Sequence, residues 1–198
     1  MTDTIPTKPD AVQVIIAYDF SPSAEEAVLR GIELACRAPQ HVLHIVVAID
    51  SRNGFPIAPT DHVDYVYAER LQDIVTARLV AGFAGRKTAS EVQFFVHARI
   101  GKPAEQVLHL AQDMGADLII IGSHGKTGVE RFVLGSVSER VVREAQCAVI
   151  VARTKTYPKV KLQQVTPFDH ERHPYHPPHR YVYVNEQVIK RPTDWPLA

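Results

Sequence analysis

Four glycines, Gly122, Gly125, Gly128 and Gly135, crowd the stretch GSHGKTGVERFVLGSVSER (122–140), directly after the apolar run ADLIII. Glycine weakens regular elements, so this density means that the backbone itself is put to use in turns or in close approach to a ligand. Gly125-Lys126-Thr127 looks like the end of a phosphate-binding P-loop. That motif needs a glycine five residues before its Gly-Lys pair, and here the position is Ile120. A GxGxxG dinucleotide fingerprint is absent as well. The spacing present is G-x2-G-x9-G-S, formed by Gly122, Gly125, Gly135 and Ser136. It follows a strand pattern and opens a helix pattern. At a helix N-terminus, free N–H groups and the helix dipole favour an anion. Ser136 Oγ can cap that helix or donate to a phosphate oxygen. Two nests of N–H groups, one at each end of the loop, would suit a polyphosphate. Ser123, Lys126 and Thr127 are further donors from the same segment, and His124 could meet a base or a phosphate.

The elements that must hold this loop are legible as strand–helix alternation. VQVIIAY (12–18), HVLHIVVAI (41–49), EVQFFVHARI (91–100), DLIIIG (117–122) and CAVIVA (147–152) read as strands rich in β-branched residues. Ser21 and Pro22 open a first helix pattern, 62–85 carries a second, and 104–115 a third that stops at Gly115. A fourth is expected at about 136–145. Such alternation implies a mainly parallel α/β sheet with helices on both faces. Ligands of such sheets bind beyond the carboxyl ends of the strands, at the point where strand order reverses. Asp19, Ala48 and the glycine stretch all fall at those ends.

At these residues the sequence resembles the universal stress proteins, over about 11–153. The pieces that carry the likeness are IIAYDFSPSAEEAV, LHIVVAID, GKPAEQVL and ADLIIIGSHGKTGVERFVLGSVSERVVREAQCAVIVA. The resemblance implies a five-stranded, Rossmann-like three-layer sandwich of the adenine nucleotide alpha-hydrolase type. It also implies a homodimer formed through the last strand, Cys147–Ala152, and membership of the branch that binds ATP through G-x2-G-x9-G-[ST]. By that resemblance Asp19 contacts the adenosine part, and Ala48 offers backbone groups to adenine. Gly122, Gly125, Gly135 and Ser136 hold ribose and phosphates, with Ser123 and Lys126 as additions from this chain's own spacing. Mg²⁺ is expected to accompany the phosphates, with Asp19 and Asp50 the candidate carboxylates. No paired-carboxylate motif commits the chain to hydrolysis. The expectation is a cytoplasmic, dimeric stress-response regulator with at most slow ATP hydrolysis, in which phosphate orders the 123–134 loop.

Composition sets the outer bounds. Lys plus Arg and Asp plus Glu are balanced at 22 each, so no net field points to nucleic acid or an anionic membrane. No apolar run approaches the ~20 residues of a membrane-crossing helix, and residues 1–10 read as a disordered segment without a signal-peptide core. Cys36 and Cys147 lack a CxxC partner and read as small hydrophobes in a reducing compartment.

Residues 155–198 form a Pro- and His-rich extension beyond the family pattern. RYVYVNEQVIKRP (180–192) reads as a hairpin turning near Asn185-Glu186. His170, His173, His176 and His179 recur every third residue among prolines, which suits polyproline II. Successive imidazoles are then ~9.3 Å apart along the chain, from a rise of ~3.1 Å per residue. That is too far for two to share one zinc ion at ~2.0 Å without bending. An extended arm laying Tyr175, Tyr181, Tyr183 and Trp195 on a neighbouring subunit is the simpler reading. The alternative is a metal- or partner-binding protein whose extension acts and whose domain is a scaffold.

Overall fold

The computed structural model describes residues 10–50, 56, 65–125, 134–154, 162–165, 180–183 and 188–189. They fall into two compact units, 1–154 and 155–198.

The first unit is built on a sheet of five parallel strands: β1 (Val12–Ala17), β2 (His41–Ile49), β3 (Gln93–Ile100), β4 (Leu118–Gly122) and β5 (Ala148–Ala152). The strand order is β3-β2-β1-β4-β5. The chain winds outward from β1 to β3, returns beside β1 with β4, and continues to β5. The reversal therefore lies between β1 and β4.

Alternation along β1 sorts the core into two layers. Val14 and Ile16 face α1 (Pro22–Arg37) and α2 (Tyr65–Phe83), where Ile32, Leu71, Val75 and Leu79 bury fully or nearly so. Ile15 and Ala17 face α3 (Pro103–Met114) and α4 (Ser136–Glu144), where Val107, Leu110 and Val141 are buried. A sheet covered on both faces can afford strands with little polar alternation, which is why β1, β2 and β4 read as apolar runs.

The helix ends follow their sequence signals. Ser21 caps α1 by accepting from the Ala24 N–H at 3.2 Å, with Pro22 at the first turn. Gly115 ends α3 in the left-handed conformation, φ 59°. β3 begins later than the pattern suggests, because Ala89–Glu91 forms a 3-10 turn first. Cys36 and Cys147 are free and half-buried against the two cores. Burial and the nearby Asp117 charge raise the Cys147 thiol above its ordinary pKa.

The two sheet edges differ. On β3 the Val96 carbonyl accepts from Gln72 Nε2 of α2 at 2.9 Å. On β5, among the described residues, the strand pairs with β4 alone. Its Ala148 and Ile150 are exposed.

The second unit contains a three-stranded antiparallel sheet of β6 (Leu162–Val165), β7 (Arg180–Tyr183) and β8 (Val188–Ile189), in that order. The β7–β8 register, Tyr181 with Ile189 and Val182 with Val188, is the expected hairpin. β6 had no sequence signal strong enough to find it. The histidine ladder, Trp195 and residues 1–9 lie outside the described residues.

Candidate functional site

A cavity of about 340 Å³ opens at the carboxyl ends of the strands, between β1 and β4. Its size lies in the ~300–1,000 Å³ range of small-molecule sites, and its place is the topological switch point. Its apolar lining includes Ala17, Val46, Ala48, Pro103, Val107 and Ile121. Asp19, Gly122, His124, Gly125 and the first turn of α4 also line it.

Gly122 is required by close approach. A β-carbon there would come 2.6 Å from the Ser23 carbonyl carbon and 2.8 Å from the Ala24 nitrogen. The end of β4 thus lies directly on the first turn of α1. Ser23 Oγ donates to the His124 carbonyl, and Ser21 Oγ reaches the same oxygen at 3.3 Å. Gly125 is required by the site itself, since a β-carbon there would come 2.8 Å from Asp19 Oδ2. Asp19 Oδ1 accepts the Ser21 N–H at 2.9 Å, which fixes the carboxylate at the end of β1.

The N-terminus of α4 faces the cavity. Gly135 is its N-cap, and no side chain caps it. Of the two roles open to Ser136, capping or donation to a phosphate oxygen, the first is not met: Ser136 is already the first helical residue, so its hydroxyl cannot fold back as an N-cap does. Ser138 supplies the local polar bond, its Oγ lying 2.9 Å from the Gly135 carbonyl and 3.1 Å from the Ser123 carbonyl. The Gly135 N–H donates to that same Ser123 carbonyl at 2.9 Å. These bonds lock the two ends of the loop together.

Asp19, Ala48, Gly122, Gly125, Gly135 and Ser136 are thus brought to one cavity. Ser123 lies behind its wall: it is buried, and its N–H donates to the Ala152 carbonyl at 3.1 Å. Lys126 and Thr127 lie outside the described residues. Asp50 is buried at the end of β2 and is not among the residues lining the cavity.

His124 carries more weight than its sequence position implies. Its Nδ1 is 3.0 Å from Ser123 Oγ. Its Nε2 is buried with no hydrogen-bond partner among the described residues. A buried orphan of this kind costs roughly 1–3 kcal/mol. The Ser123 hydroxyl is best satisfied by donating to Nδ1, which leaves the proton on Nε2 and makes it a donor. Motif spacing alone cannot reveal this, because it depends on which ring atom is shut away.

Tyr18 also borders the cavity. Burial, then its hydrogen bond to Glu25, holds its hydroxyl pKa far above the ordinary value, so it stays protonated. Among the described residues no three His, Cys, Asp or Glu side chains cluster to hold a metal. No helix among them is long and apolar enough to cross a membrane.

Residues 13–153 match the model of the universal stress protein family. The chain belongs to that family. A Staphylococcus epidermidis protein named for the family is 35% identical over 154 residues, covering 77% of this chain and 90% of that one. A universal stress protein of Methanocaldococcus jannaschii is 43% identical over 70 residues, 34% of this chain and 41% of that one. The fold is shared with the universal stress protein UspA from Lactobacillus plantarum (TM-score 0.51, 23% identity, 74% of this chain and 100% of that one). It is shared with a universal stress protein in complex with cAMP (TM-score 0.52, 22% identity, 74% and 100%). The Archaeoglobus fulgidus family protein in complex with dAMP also has it (TM-score 0.50, 18% identity, 73% and 100%).

Proposed function

We propose that this universal stress protein binds ATP in the cavity between β1 and β4 and works in the cytoplasm as a dimeric stress-response regulator. The observation that carries the reading is the lining of the cavity, which joins apolar side chains to glycine backbone and a helix N-terminus without a side-chain cap. A nucleoside with phosphates needs both kinds of surface. The adenine lies against Ala48 and the apolar wall, and Asp19 takes the ribose. Gly122, Gly125, Gly135, Ser136 and His124 meet the phosphates, and Lys126 adds its charge from the loop. Two proteins of this fold carry cAMP and dAMP, which supports an adenine nucleotide in this architecture.

Mg²⁺, if it accompanies ATP, relies on phosphate oxygens and water, because Asp50 stands off the cavity and Mg²⁺ keeps much of its water shell. The sequence carries no paired-carboxylate motif that commits it to hydrolysis, and the role we read is binding, with at most slow hydrolysis. Phosphate contacts at both ends of the loop would order it and change the surface it presents.

The dimer forms through β5, which among the described residues pairs with β4 alone and whose exposed Ile150 suits addition of a second copy. The extension contributes to the same assembly.

The test is direct. The purified protein is denatured and any released nucleotide identified by mass spectrometry; the emptied protein is then titrated with ATP and Mg²⁺. Release of an adenine nucleotide, or saturable binding, supports the reading. No release and no signal at millimolar ATP overturns it.

A further inference from the structure

The turn that carries Asp19 is held in a conformation its neighbour resists. Phe20 sits at φ 66°, the left-handed region in which a residue with a β-carbon is strained. A single side chain of α2 grips both neighbours of Asp19. The Arg78 guanidinium carbon lies over the Phe20 ring, 5.2 Å from its centroid. The same guanidinium donates to the Tyr18 hydroxyl at 3.2 Å and pairs with Glu25 of α1. Glu25 also accepts from the Tyr18 hydroxyl, and the Tyr18 and Phe20 rings pack with centroids 4.8 Å apart at a tilt of 55°.

The ion pair by itself does not account for this arrangement. Both its side chains are substantially exposed, 51% for Arg78 and 38% for Glu25, and such pairs contribute little. The planar guanidinium matters through what it stacks on. Between the two clamped rings, Asp19 has one carboxylate oxygen on the Ser21 N–H and the other against Gly125.

We propose that Arg78 is a positioning residue for the cavity: by stacking on Phe20 and bonding Tyr18 it holds the strained turn, and so aims the Asp19 carboxylate at the ligand. The identity of that ligand rests on the nucleotide reading above; the clamp does not. Helix α2 lines no part of the cavity, yet through Arg78 it governs one wall of it.

A double-substitution cycle on the full chain tests this. Two quantities are measured for wild type, Arg78→Ala, Phe20→Gly and the pair: affinity for ATP with Mg²⁺ by calorimetry, and ligand-free exchange of the Ser21 amide by NMR. Arg78→Ala is expected to weaken ATP about five-fold, the scale of one exposed cation–π contact, and to speed Ser21 exchange. Glycine adopts the left-handed turn without help, so Phe20→Gly should restore both quantities in the Arg78→Ala background. If Arg78→Ala does not fold, Arg78→Met, which keeps the apolar stem, is expected to move both readouts in the same direction. Wild-type values in the Arg78 variant, or a double variant no better than it, overturn the proposal. If wild type binds no ATP while Ser21 exchange follows the cycle, the clamp stands and the nucleotide reading falls.

Discussion

Asp19 and Gly125 meet face to face: the carboxylate Oδ2 occupies the space that a β-carbon on Gly125 would need, 2.8 Å away. Gly125→Ala must therefore displace the carboxylate or the loop end. Overpacking of this kind costs roughly 1–3 kcal/mol, which we expect to appear as a tenfold or greater loss of ATP affinity with little change in the unfolding midpoint. Titration of the variant beside wild type checks it.

Gly122 gives the opposite partition. Its neighbours are backbone atoms of Ser23 and Ala24, which cannot swing aside. Gly122→Ala should lower stability to urea by about 1–3 kcal/mol or more, and a variant with an unchanged urea midpoint would show that the β4–α1 contact is softer than it looks.

His124 should separate ligands by their phosphates. His124 lines the cavity beside Gly125, and His124→Ala is expected to weaken ATP about tenfold, a charge-assisted bond being worth ~1.5–3 kcal/mol, and to leave adenosine unchanged. Equal loss for both ligands would place the imidazole on the nucleoside instead.

A buried polar chain predicts acid sensitivity. His44 Nε2 donates to Gln13 Oε1 at 2.8 Å, and its Nδ1 lies 3.0 Å from His97 Nε2, so His97 is the donor of that second bond. Burial, then the neighbouring His97, depresses His44 to about 4. Burial, then the Arg99 charge, depresses His97 likewise to about 4. Both are neutral when folded and take protons more readily when unfolded, where histidine titrates near ~6.5. Stability is thus fully present above about 6.5 and is lost as pH falls toward 4. Thermal midpoints measured between pH 7 and 4 should fall over that window, and His97→Gln should flatten the fall.

Ser138 joins the two ends of the loop through the Ser123 and Gly135 carbonyls. Ser138→Ala should cost about 1 kcal/mol, the usual net worth of such a bond, and speed amide exchange at Gly135, which shares the Ser123 carbonyl.

The sequence disclosed the five strands, the parallel winding and the cavity-forming ends because each rests on a local signal. These signals are β-branched runs, Ser21 and Pro22 before α1, Gly115 after α3, and glycines at fixed spacing. What it hid depends on pairs far apart in the chain. Nothing local marks Arg78 as a partner of Phe20, or shows that the Ser138 hydroxyl bonds back to two carbonyls while Ser136 leaves the cap to Gly135. The orphaned Nε2 of His124 is likewise a property of packing. Short β6 lacked both length and alternation, so only its pairing with β7 reveals it.

The unlike edges of the main sheet have a consequence for growth. Gln72 holds one carbonyl of β3, whereas among the described residues β5 pairs with β4 alone. A second copy added through β5, as proposed above, would use up that edge in both molecules at once, as two monofunctional monomers end each other's growth at the joined end.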